Sequence, residues 1–155
     1  MKVITAVSLL FLSAGFSSEA VDTEPTVVIQ LEQDSIADKR ADEEVGQVWS
    51  EVEDNVQRGT VAGLARYLAP QVYLDLPGRD GGYYSANQAR SIMQEFFRLR
   101  RVLHFKLSSK GTTHETPFAT GGGTFINHGN RSAFQVYVSL SFLEKHWVIS
   151  QFNVY

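Results

Sequence analysis

From Asp42 onward the apolar residues recur at helical spacing. Val45, Val48, Trp49, Val52 and Val56 fall at i, i+3, i+4, i+7 and i+11, one stripe along a long helix. Asp42, Glu43 and Glu44 suit the positive N-terminal end of that helix. Arg58 and Gly59 supply a basic last turn and a glycine stop. Thr60 then caps a predicted short second helix, with Val61, Leu64, Tyr67 and Leu68 inward and Pro70 as its end. Gln71 to Leu76 switches to strand alternation, Val72, Leu74 and Leu76 on one face, Tyr73 and Asp75 on the other. After a glycine-rich bend, Ser85 and Gln88 form a capping box and Tyr84 is placed to staple onto Ala89. Ala89, Ile92, Met93, Phe96 and Phe97 make the stripe of a strong helix.

The remainder alternates with period two. Leu103, Phe105 and Leu107 alternate with His104 and Lys106, and Lys110-Gly111 is read as the start of a turn. Phe118 to Ile126 is a second strand, broken by Gly121-Gly122-Gly123, and Asn127-His128-Gly129-Asn130 is a hairpin turn. Phe134, Val136, Val138, Leu140 and Phe142 give a third strand, and a turn near Glu144-Lys145 leads to the last, His146 to Tyr155. Strict alternation there puts Val148, Phe152 and Val154 on one face, Trp147, Ile149 and Tyr155 on the other. A sheet with one face on helices leaves its other face polar, so Trp147, Ile149 and Tyr155 are candidates for an interface, a homodimer among them. Helices, one strand, a helix and a meander predict an α+β fold: a curved antiparallel sheet wrapped around about three helices, over residues 42–155.

The N-terminal part reads differently. Lys2, the apolar run Val3 to Leu12 and Ser18-Glu19-Ala20 form a secretory signal over residues 1–20, too short for a permanent membrane span. A buried strand or helix is the competing reading. Residues 21–41 form an acidic leader that is either a disordered tail or, through TVVIQLEQ, an added edge strand. The 155-residue chain has no cysteine, which excludes disulfides, thiolate catalysis and a lipid-anchored N-terminus. A periplasmic or secreted location is expected.

Charge narrows the partners. Residues 1–59 hold four basic against twelve acidic side chains and residues 60–155 ten against five, for a net −3. A nucleic-acid partner is not expected of an acidic, exported chain.

The stretches LDLPGRDGGYYSANQARSIMQEFF, FKLSSKGTT and FATGGGTF resemble a family of exported bacterial proteins of unknown function. In that family an LPG-x-x-G-x-YS-x-x-Q-A segment leads into a helix ending in FF. The resemblance covers roughly Asp42 to Tyr155 and implies the nuclear transport factor 2-like (ketosteroid isomerase-like) cone. The doubled Tyr83-Tyr84, the three consecutive glycines and the RLRR helix exit depart from the pattern. The cone hosts isomerases, dehydratases, binding proteins and dimerisation modules, so it implies no reaction.

The chemistry is sparse. Gly78, Gly81 and Gly82 precede a helix N-terminus, but no Lys-Ser/Thr pair follows them as a phosphate loop requires, so they are read as a corner. Tyr83, Tyr84, Arg98 and Arg101 are candidate ligand contacts; for the arginines the competing reading is a solvated basic helix end. Isomerase chemistry wants a carboxylate base in an apolar cavity with hydroxyl donors, for which Asp75, Tyr73, His104 and Tyr137 are the candidates. The second carboxylate or paired donor is not evident. His104, His114, His128 and His146 show no metal-ligand spacing and no GxSxG elbow occurs, so neither metal nor cofactor is expected. The expected function is an exported, non-enzymatic domain that binds a small apolar or anionic ligand, or self-associates through its sheet. A ketosteroid-isomerase-type enzyme using Asp75 and an envelope interaction scaffold are the alternatives.

Overall fold

The computed structural model describes residues 25–113 and 116–155. The signal segment expected at residues 1–20 lies outside them, as does His114. The elements are α1 (Pro25–Arg58), a single 3-10 turn (Ala65–Tyr67), β1 (Leu68–Asp75), β2 (Gly82–Ser85), α2 (Ala86–Arg98), β3 (Arg100–Thr113), β4 (Thr116–Asn127), β5 (Asn130–Leu143) and β6 (His146–Val154). One six-stranded curved sheet runs β2-β1-β6-β5-β4-β3. Every neighbouring pair is antiparallel except β1 and β6, which are parallel.

The described part of the long helix runs without a break from Pro25 to Arg58. The TVVIQLEQ patch therefore continues α1 and forms no edge strand, since extending an existing helix costs far less than starting one. At the other end Gly59 (φ 65°) makes a Schellman stop: Gly59 N–H donates to Val56 O (3.0 Å) and Thr60 N–H to Asn55 O (2.9 Å). Asn55 is itself buried, bonding to Glu51 and accepting from the Gly63 N–H. The predicted second helix shrinks to the one 3-10 turn. Pro70 disfavours helical angles at Ala69, and the chain is already extended at Leu68. The Ser85–Gln88 capping box forms as expected.

One turn and one strand break expected within the sheet are absent. Lys110 and Gly111 stay inside β3, paired with Ala119 and Phe118. Gly121-Gly122-Gly123 does not interrupt β4. A side chain on Gly121 would meet Lys106 O and the Phe105 ring, and one on Gly123 would meet His104 O and the Phe134 ring. The stacked Phe105 and Phe134 rings lie over these bare positions instead. The hairpin at His128-Gly129 is present, with both residues at positive φ, as is the Glu144-Lys145 turn.

The last strand departs most from strict alternation. Val136 pairs with Val154 and Val138 with Phe152, but Ser139 pairs with Gln151 and Leu140 with Ile149. Ser150 is an extra residue, a β-bulge that returns Ile149 and Trp147 to the face of Phe152 and Val154. The same shift turns Val148, expected beside Phe152 and Val154, to the opposite face with Ser141. Ile149 is fully buried in the chain's own core, which withdraws it from any interface.

That core lies between the helices and the inner face of the sheet. Val48, Val52, Val56, Leu64, Val72, Val138, Leu140, Ile149 and Phe152 are all at 0% exposure, so side chains fill the cone's interior. Part of the edge strand β3 is covered by α1. Glu53 accepts from Leu107 N–H (2.8 Å), Gln57 accepts from Phe105 N–H (2.6 Å), and the Gln57 amide reaches Leu103 O (3.5 Å).

Candidate functional site

With the interior filled, the chemistry-bearing side chains lie on the sheet's open face. Register places them in rows. Tyr83 of β2 pairs with Tyr73 of β1, which pairs with Gln151 of β6 and, through it, Ser139 of β5. Asp75 pairs with Asn153, and Asn153 with Tyr137. The rows enclose a groove of about 600 Å³, with Tyr73, Asp75, Tyr83, Gln151, Asn153 and Tyr155 in its lining. The glycine bend finishes its edge: a Cβ on Gly81 would lie 2.9 Å from the Tyr73 hydroxyl and 3.5 Å from the Asp75 carboxyl carbon. The bend is a corner, as expected, and its bareness lets the Tyr73–Asp75 face close against it.

Asn153 is the unusual member. It is 4% exposed, its Nδ2 donates to the Tyr155 hydroxyl (3.0 Å), and its Oδ1 has no hydrogen-bond partner among the described residues. Leaving such a group unmatched costs about 1–3 kcal/mol. Tyr73 and Tyr83 meet edge to face at 5.2 Å, and Tyr137 stacks on Phe118 at 6.0 Å. No lysine, arginine or histidine belongs to the groove's lining among the described residues.

The candidate catalytic set does not converge. Tyr73, Asp75 and Tyr137 share the open face, but His104 is on β3, four strand spacings from β1 or about 19 Å. Asp75 sits in an open polar groove, on the face away from the apolar core. It lacks the enclosure that isomerase chemistry uses to hold a carboxylate base. Tyr84 turns away from Tyr83, packs against the core and donates to Asp80 O (3.2 Å). Arg98 and Arg101 are exposed and outside the groove. The arginine with a structural role is Arg100, which donates to Phe96 O (3.1 Å) and lies 3.9 Å over the Phe96 ring. Desolvation by burial lowers its pKa from the ordinary value. Trp147 packs on Phe142 (5.1 Å), and its backbone N–H donates to Glu44 (3.2 Å), which also meets His146 (3.3 Å). Trp147 borders a second, more apolar groove of about 560 Å³ with Tyr67, Leu68 and Pro70. Tyr155, expected at an interface, stands 62% exposed over Asn153.

Gln151, Ser139 and Asn153 were not among the sequence candidates. The signal available was a run of polar residues at alternate positions in strands that otherwise read as core, hidden by the Ser150 bulge.

A curved six-stranded sheet packed on a long helix and a shorter capped one defines a nuclear transport factor 2-like cone. Within that class the chain belongs to the family described as "Domain of unknown function (DUF4783)", which matches residues 49–154. A family protein from Bacteroides ovatus is 26% identical with a TM-score of 0.57, covering 67% of this chain and 90% of that one. One from Bacteroides uniformis is 22% identical with a TM-score of 0.60, covering 68% and 93%. A ketosteroid isomerase-like protein from Erwinia carotovora atroseptica shares the fold at 13% identity and a TM-score of 0.58, covering 72% and 92%. Comparison with curated proteins finds no match.

Proposed function

We propose that this chain is an exported binding domain without catalytic machinery, working through the open face of its sheet. The observation that carries the reading is Asn153: a nearly buried amide with an unmatched oxygen, in a groove walled by tyrosines. Folded chains rarely retain such a group without a use for it. The filled interior supports the same reading, because the described core side chains at 0% exposure leave no room between them for a substrate. The export half rests on Lys2, the apolar run Val3 to Leu12 and the small residues before Val21. Self-association through this face is the competing use of the groove. The bulge weakens it, because Ile149 is no longer available to an interface.

The test is an NMR screen of the isotope-labelled mature protein against a fragment library, with light scattering on the same sample. Shifts clustered at Tyr73, Asp75, Gln151 and Asn153 in a monomer support the reading. Shifts confined to the core or the second groove, or a dimer that covers Tyr155, overturn it. Export is checked by fractionating expressing cells and weighing the mature chain; a cytoplasmic, full-length product sinks that half.

A further inference from the structure

We infer that the open-face groove takes a neutral, polyhydroxylated ligand of the saccharide class. The inference rests on the binding-domain reading and adds its chemistry. The groove's polar groups are hydroxyls and carboxamides with a single carboxylate, Asp75, and no cation among the described residues. An anionic ligand finds no counter-charge there and meets the Asp75 carboxylate. An apolar ligand would strip water from Gln151, Asn153 and Asp75 and return no hydrogen bond. A saccharide supplies both donors and acceptors at neighbouring positions.

The geometry fits that ligand in two further ways. Asp75 and Asn153 are direct register partners on adjacent strands, with backbones about 4.8 Å apart, a separation that vicinal hydroxyls can bridge. Asp75 accepts from such hydroxyls, the free Oδ1 of Asn153 accepts from another, and the Asn153 Nδ2 donates to a sugar oxygen in place of the Tyr155 hydroxyl. Tyr155 is 62% exposed, so its ring can swing aside without disturbing the core while its backbone stays paired with Gln135. The apolar C–H face of a sugar needs an aromatic surface, and Tyr83, 74% exposed, provides one at the rim. A quaternary ammonium would need rings standing apart around it. Tyr73 and Tyr83 touch each other at 5.2 Å and form a ledge with no slot between them.

The experiment is an NMR titration of the mature protein with cellobiose, maltose and N,N′-diacetylchitobiose, with glucuronate, choline and a neutral tetrapeptide as comparison probes. The expected result is saturable shifts at Asp75, Gln151 and Asn153 with at least one disaccharide. Asp75→Asn and Tyr83→Ala, both at partly open positions, each weaken it about tenfold. No shift with any disaccharide at tens of millimolar overturns the inference, as does disaccharide binding indifferent to both variants. Groove shifts with glucuronate, choline or the tetrapeptide alone overturn the saccharide assignment and leave the binding-domain reading standing. If no probe and no library fragment moves the groove, both fall.

Discussion

Asp75 faces Asn153 across the one parallel seam of the sheet, where β1 meets β6, on the side turned away from both helices. The pairing sets a carboxylate beside an amide whose oxygen is unmatched. A polar pair kept for stability alone would sit in a completed hydrogen-bond network.

The arrangement makes stability and binding separable at Asn153. Asn153→Val removes the unmatched oxygen and adds a strand-favouring side chain, at the loss of one bond to Tyr155. The variant is expected to be more stable by about 1 kcal/mol in urea denaturation, while ligand-induced shifts at Gln151 and Asp75 disappear. A destabilised variant would mean that Asn153 serves the fold.

Much of this architecture was legible in the pattern of residues. The α1 stripe from Val45 to Val56, the Ser85–Gln88 box and the β5 alternation are local signals, each confirmed by the structure. What was hidden depends on distant partners. Nothing near Ser150 announces a bulge, because the extra residue is defined only by its register against Ser139 and Leu140. The glycines of β4 read as a break, since the rings and carbonyls that require them come from β3 and β5. The groove was half visible: Tyr73, Asp75 and Tyr83 stood out, while Gln151 and Asn153 did not.

Ile149 distinguishes the bulged register from a strictly alternating one. If Ile149 lies in the core, Ile149→Ala leaves a cavity and lowers stability by about 2–5 kcal/mol. If it faced a partner, the same change would alter association and leave monomer stability nearly untouched. Urea melts read beside light scattering decide between them.

The consecutive glycines are expected to behave unequally. A Cβ on Gly122 has only Phe134 O in reach, at 3.7 Å, so Gly122→Ala is tolerated to within about 0.5 kcal/mol. On Gly123 the Cβ meets His104 O and, at 2.8 Å, the Phe134 ring, and relief requires moving a neighbouring strand. Gly123→Ala is expected to cost about 3 kcal/mol or more, beyond ordinary overpacking. Equal melting temperatures for the two variants would contradict this packing.

The long free edge of β3 is guarded by two side chains of α1. Glu53 and Gln57 take the N–H groups of Leu107 and Phe105, which otherwise point outward from the sheet's last strand. Removing either acceptor leaves a part-buried donor unmatched, so Glu53→Ala or Gln57→Ala is expected to lower stability by about 1–3 kcal/mol. Glu53→Gln keeps a carbonyl oxygen at the same reach and should retain most of that stability. In the double alanine variant the strand presents its N–H row to other chains, and edge-to-edge pairing becomes available. Thioflavin fluorescence and light scattering at temperatures well below the melt should then rise for the double variant and stay flat for Glu53→Gln. Aggregation of Glu53→Gln to the same extent would show that the carboxylate's charge protects the edge, with no part played by its hydrogen bond.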